Sequence, residues 1–71
     1  MNITEHALER MAERGFTAEM LGKLLRNHRT EKADSGRYKF IGKVDGSYWT
    51  LIVEADNYTV VTVRRSHGGE K

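Results

Sequence analysis

The chain has 71 residues, 38% of them hydrophobic and 31% charged. That is enough for one small domain with a modest core, and too little for a two-domain enzyme with a buried cofactor cleft. No cysteine occurs, which excludes disulfides, thiolate catalysis and Cys-based zinc sites, and no apolar run approaches the ~20 residues of a membrane span. Twelve Lys and Arg against ten Asp and Glu leave a net charge of +2, so the placement of charge matters more than its sum.

The first third of the chain reads as helical. Thr4 is placed to cap a helix over residues 5–14, and Gly15 suits its C-terminal stop. Glu5 and Arg14 at its two ends favour the helix dipole. A second helix starts after Thr17 and runs to about Asn27, with Met20, Leu21, Leu24 and Leu25 at helical spacing. Gly22 inside it costs roughly 1 kcal/mol relative to alanine and suggests close packing. Residues 28–36 form a polar connection, within which residues 30–33 suit a short edge strand; Asp34-Ser35-Gly36 is turn chemistry.

The second half is β. Residues 37–44 alternate, Asp45-Gly46 signals a two-residue hairpin, and residues 47–55 are rich in aromatic and β-branched side chains. Asp56-Asn57 marks another turn, and residues 60–64 form a last strand. Residues 66–71 read as a frayed tail. With Asp45-Gly46 as the loop, Tyr38, Phe40, Trp49, Leu51 and Val53 share the core face, Gly42 leaving room for the indole of Trp49. The other face carries Lys39, Ile41, Lys43, Tyr48, Thr50, Ile52 and Glu54. An odd-length loop before the last strand adds Val61 and Val63 to the core face, and Thr62 and Arg64 to the other. The expected fold class is α+β: two N-terminal helices packed on one face of a three- to four-stranded antiparallel sheet. Leu8, Met11, Leu21, Leu24 and Leu25 are its expected cover.

At about 100° per residue the first helix sorts its side chains into three sectors. Ala7, Leu8, Met11 and Ala12 form an apolar stripe. Glu5, Glu9 and Glu13 form an acidic edge, and His6, Arg10 and Arg14 a cationic one. The ordinary reading is a solvated face with weak ion pairs, such as Arg10 with Glu13. The sharper reading is an anion site: guanidiniums offer forked donors to phosphate oxygens, and an imidazole exchanges a proton near neutral pH.

The opening helix, Thr4 to Phe16, resembles that of a family of small bacterial domains with the pattern T-x-H-A-x-x-R-M-x-x-R-G followed by an apolar residue. That family closes on a V-x-T-V strand, matched here by Val60-Val61-Thr62-Val63. It is grouped with RelE-like proteins, in the wider set that shares the barnase, EndoU, colicin and RelE fold. The resemblance implies helices packed on an antiparallel sheet and a metal-independent endoribonuclease toxin, including the kind used in contact-dependent inhibition. Such a toxin is neutralised by an immunity or antitoxin protein. His6, Arg10 and Arg14 map onto the helix motif and Thr62 onto the last strand. RelE-type cleavers also use basic and Tyr residues on the sheet.

Cleavage by 2′-hydroxyl attack needs a base, cations for the phosphorane charge and an acid for the leaving 5′-oxygen. His6, Arg10, Arg64 and Thr62 are the catalytic candidates. Arg14, Lys39, Lys43, Tyr48, Arg65 and His67 are the candidates for holding RNA and its phosphates, Tyr48 by stacking on a base. Glu54 is expected to pair with Arg37, its cross-strand neighbour, and His28 to be a solvated loop residue. Three dispersed histidines without a Cys or an H-x-x-x-H pair point away from a metal site, and no cofactor is expected. RNA and an acidic immunity or antitoxin protein are the expected partners. The opening residues lack a signal-peptide pattern. The resemblance implies action in the bacterial cytoplasm, with delivery from another cell as an alternative route, and no membrane partner. The alternative is a non-catalytic module that holds RNA or a protein on the basic sheet face.

Overall fold

A computed structural model describes residues 1–70. The elements run α1 (Glu5–Arg14), α2 (Ala18–Arg26), β1 (Arg29–Ala33), β2 (Arg37–Val44), β3 (Ser47–Glu54), β4 (Thr59–Arg65) and a 3₁₀ turn, Gly68–Glu70. The strands form one antiparallel meander in the order β1-β2-β3-β4, and the fold class is α+β. Both helices lie on one face, α1 along β4 and α2 against β2.

Local chemistry explains the boundaries. The Thr4 side chain accepts a hydrogen bond from the Ala7 amide, and Gly15 closes α1 at φ 67°, a left-handed conformation that glycine adopts without a Cβ penalty. Thr17 caps α2 by accepting from the Met20 amide at 3.1 Å. Asp45 and Gly46 both have positive φ, at 50° and 89°, as a type I′ hairpin turn requires. That turn sets the β2–β3 register: Gly42 faces Trp49, Phe40 faces Leu51 and Tyr38 faces Val53.

The segment before α1 is sewn to β4. The Val60 amide donates to Asn2 O at 2.8 Å and the Thr4 amide to Val60 O at 3.1 Å, while the Thr4 hydroxyl donates to Val61 O at 3.2 Å. Phe16, just past α1, sets its ring 4.8 Å from that of Trp49, which faces Arg65. Helix α1 therefore runs beside β4 in the same direction, its first turn near Val60 and its last near Arg65.

The core differs from the expected set at several points. Leu8 is 51% exposed, and the buried residues of this layer are Ala7, Met11 and Phe16. The Ile3–Val60 bridge rolls α1 so that Ala7 and Met11, not Leu8 and Ala12, face the sheet. A bulge opposite Ile52 and Val53 leaves Val61 unpaired, so Val60 and Val63 are the buried valines of β4. The space that Gly42 leaves is filled first by α2. A Cβ there would lie 2.7 Å from the Asn27 carbonyl oxygen and 3.3 Å from Leu24 Cγ, so the missing side chain admits the end of α2. Gly22 meets only Arg26 Nη1, at 4.0 Å, and serves no close packing. His28 is half-buried rather than solvated. Its ring stacks on Phe40 at 4.4 Å and its Nδ1 lies 3.1 Å from Leu25 O. No helix among the described residues is long and apolar enough to cross a membrane.

Candidate nucleic-acid interface

The strand register fixes what the helix-free face presents. Ile41, Thr50 and Arg64 lie abreast; Lys39, Ile52 and Thr62 form the next row on one side, and Lys43 with Tyr48 the row on the other. This face does not lie open. Ile41 and Thr50 point away from the helices, yet they are 2% and 0% exposed.

Over Thr50 the cover is the Gly68–Glu70 turn. Residues 66–70 are not a frayed tail; Lys71 lies outside the described residues. Past β4 the Ser66 amide donates to Tyr48 O at 3.0 Å, and the Glu70 amide to His67 O at 2.9 Å. Glu70 is thereby folded back onto the sheet and buried.

Five donors converge on its two oxygens. Arg64 Nη1 reaches Oε1 at 2.6 Å and Arg64 Nη2 reaches Oε2 at 2.8 Å. Lys39 Nζ lies 2.9 Å from Oε2. The Thr50 hydroxyl donates to Oε1 at 3.2 Å and the His67 backbone amide donates to it at 2.8 Å. Thr50 has one hydroxyl proton, which this bond uses, so the Ser66 hydroxyl, 2.8 Å away, is the donor to Thr50. The Arg64 hydrogen bonds, then the His67 amide and Lys39, hold the Glu70 carboxyl well below the usual carboxylate range against the opposing effect of burial. The same hydrogen bonds raise Arg64 above its ordinary value.

Tyr48 stands beside this cluster, exposed on the same face. It separates two hollows. One, of about 360 Å³, is lined by Asn27, His28, Arg29, Ile41, Gly42 and Lys43; the other, of about 300 Å³, by Gly46, Ser47, Arg65 and Ser66. Lys43 Nζ lies 5.8 Å from the Tyr48 ring centroid.

The structure thus brings together Lys39, Lys43, Tyr48, Thr62 and Arg64 on one face, with the His67 backbone beside them. It does not bring His6, Arg10 or Arg14 there. These three belong to α1, which packs on the opposite face of the sheet. His6 and Arg14 are exposed, and Arg10 pairs with Glu13 at 2.6 Å. Arg65 also lies on the helix side. Its guanidinium sits 5.0 Å from the centre of the Trp49 ring and donates to Ser47 Oγ at 3.4 Å. The expected Arg37–Glu54 ion pair forms at 3.2 Å. Glu70 is the site residue that the sequence did not single out. Its only signal was a carboxylate a short glycine-containing turn after Arg64-Arg65.

No protein-family model matches the chain, and comparison with curated proteins and with solved structures finds no match either. The chemistry of this face is therefore the main guide to what the domain does.

Proposed function

We propose that this is an RNA-binding domain of RelE-like type, which holds the sugar–phosphate backbone on the helix-free face of its sheet. The observation that carries the reading is the placement of Tyr48 beside the Lys39–Thr50–Arg64 cluster. An exposed ring gives a base a surface to stack on, and the cations of the same face, Lys39 and Arg64 now paired with Glu70 and Lys43 beside the ring, suit the phosphates on either side of it. The resemblance of the opening helix and last strand to RelE-like domains favours RNA over other polyanions. The bacterial cytoplasm is then the place of action, and an acidic immunity or antitoxin protein is the partner able to cover these cations.

The test is fluorescence anisotropy with a labelled oligo(U) at several salt concentrations. Single-strand binding through Lys39, Lys43 and Arg64 gives a log–log salt slope of about −2, at roughly 0.7 per neutralised phosphate. An oligonucleotide that stays free at low salt overturns the reading.

Endoribonuclease activity is the second reading, and one observation favours it. The His67 amide is bonded to the same carboxylate oxygen as Arg64 Nη1, which puts an imidazole-bearing residue next to Arg64. His6, the catalytic candidate of the helix motif, belongs to the other layer. In this reading His67 supplies the proton transfers, while Arg64 and Lys39 hold the phosphorane charge. Incubation with total RNA in EDTA checks it: cyclic-phosphate ends that His67→Ala abolishes support it, and intact RNA at high protein concentration rejects it.

A further inference from the structure

The Glu70 cluster has the make-up of a ligand site. A guanidinium fork meets both oxygens of one carboxylate, an ammonium meets the second, and a hydroxyl and a backbone amide meet the first. The two non-bridging oxygens of a phosphate group present themselves to an Arg fork in nearly the same way. A structural ion pair is normally satisfied by one partner; here donors from β2, β3, β4 and the following turn all point at one anion. The turn that carries the anion, by contrast, is lightly packed. Gly68 and Gly69 precede Glu70, no atom crowds either of them, and residues 67–69 are exposed. The turn that presents it is three residues long, so it can open without disturbing the strands.

We infer that Glu70 is an internal stand-in for phosphate: it occupies an oxyanion site built by Lys39, Thr50, Arg64 and the His67 amide, and an RNA phosphate displaces it. The inference depends on the RNA-binding reading for the identity of the ligand, but not for the existence of the site. Displacement opens the turn and leaves the two cations, the Thr50 hydroxyl and the His67 amide for the incoming oxygens. A tethered carboxylate competes at an effective concentration on the order of millimolar. The full chain therefore binds phosphate weakly, and removal of the carboxylate reveals the site.

The experiment compares the 71-residue protein with Glu70→Ala, Glu70→Gln and the double variant Arg64→Ala/Glu70→Ala. The melting temperature of each is recorded in inorganic phosphate and in sodium chloride of equal ionic strength. Phosphate is expected to raise the melting temperature of Glu70→Ala well above its effect on the parent, to raise that of Glu70→Gln by less, and to leave the double variant unmoved. In parallel, Glu70→Ala is expected to bind oligo(U) at least ~10-fold more tightly than the parent. Glu70→Gln keeps the shape of the side chain and guards against a Glu70→Ala protein that does not fold. A phosphate response absent from both single variants, or retained in the double variant, overturns the inference. A phosphate response without RNA binding keeps the oxyanion site and rejects the RNA reading. RNA binding that is equal in parent and variants, with no phosphate response, keeps the RNA reading and rejects the stand-in.

Discussion

Arg64 and Glu70 meet through two parallel hydrogen bonds, Nη1 to Oε1 at 2.6 Å and Nη2 to Oε2 at 2.8 Å. Their side chains are 22% and 6% exposed, so water screens the pair less than it screens the Arg10–Glu13 pair of α1. Geometry of this kind fixes both partners, and it makes the helix-free face depend on the ionisation of one carboxylate.

The pH dependence of stability follows from that. The folded protein holds the Glu70 carboxyl well below its ordinary value, mainly through Arg64. A carboxylate depressed in the folded state stabilises the protein at pH values above its unfolded pKa, and the gain is lost as the pH falls through the folded one. Denaturant midpoints should therefore be steady above about pH 5 and fall steadily in more acid solution. In Glu70→Gln the acid-side fall should be shallower. Equal slopes in the two proteins would remove Glu70 from the acid response.

The two helix-side glycines should respond in opposite ways to alanine. At Gly42 the new Cβ meets the Asn27 carbonyl at 2.7 Å, a backbone atom that can move only if the end of α2 moves. Overpacking of this kind costs about 1–3 kcal/mol. At Gly22 the nearest atom is the mobile end of Arg26 at 4.0 Å, and alanine in a helix interior should stabilise by up to ~1 kcal/mol. Chemical denaturation of both variants is the check, and a destabilised Gly22→Ala would be the informative failure.

Tyr48 can be removed without touching the core. Tyr48→Ala should weaken oligo(U) binding by about 1–3 kcal/mol, the usual value of one base–aromatic stack, while Tyr48→Phe keeps most of the affinity. Both variants should keep the parent's far-ultraviolet circular dichroism. Equal affinity for parent and Tyr48→Ala would place RNA elsewhere on the surface.

The histidines separate the two layers. His6→Ala should leave RNA binding, and any RNA cleavage, at the parent level, because α1 lies across the sheet from Arg64. Arg64→Ala should lower affinity and reduce the magnitude of the salt slope by about 0.7, one phosphate's share. A loss of activity in His6→Ala with folding intact would show that the helix edge, not the sheet face, meets the RNA.

Where local chemistry decides, the residues themselves announced the structure. Thr4 and Gly15 bounded α1, and Asp45-Gly46 set the β2–β3 register down to which side chain faces which. Thr62 and Arg64 were assigned to the correct face on the same alternation. The misreadings lie where distant segments meet. Ala7 and Leu8 lie about 100° apart at the two sides of one apolar stripe, and the ties of Ile3 and Thr4 to β4 set which side is buried. The bulge at Val61 shifts the alternation by one residue without any glycine to mark it. Glu70 lies in a short polar stretch with no periodicity, and its role comes from Lys39, Thr50 and Arg64, residues brought together by strand pairing. His6, Arg10 and Arg14 made a convincing stripe on one helix, but the edge of a helix does not reveal which side of a sheet the helix will cover.

The indole of Trp49, the protein's single tryptophan, lies between the Phe16 ring and the Arg65 guanidinium, and its Nε1 has no hydrogen-bond partner among the described residues. Arg65 also forms a wall of the smaller hollow beside Tyr48. The molecule thus carries its own optical reporter: a solute settling in that hollow and drawing Arg65 away changes the emission of one chromophore, with no dye attached.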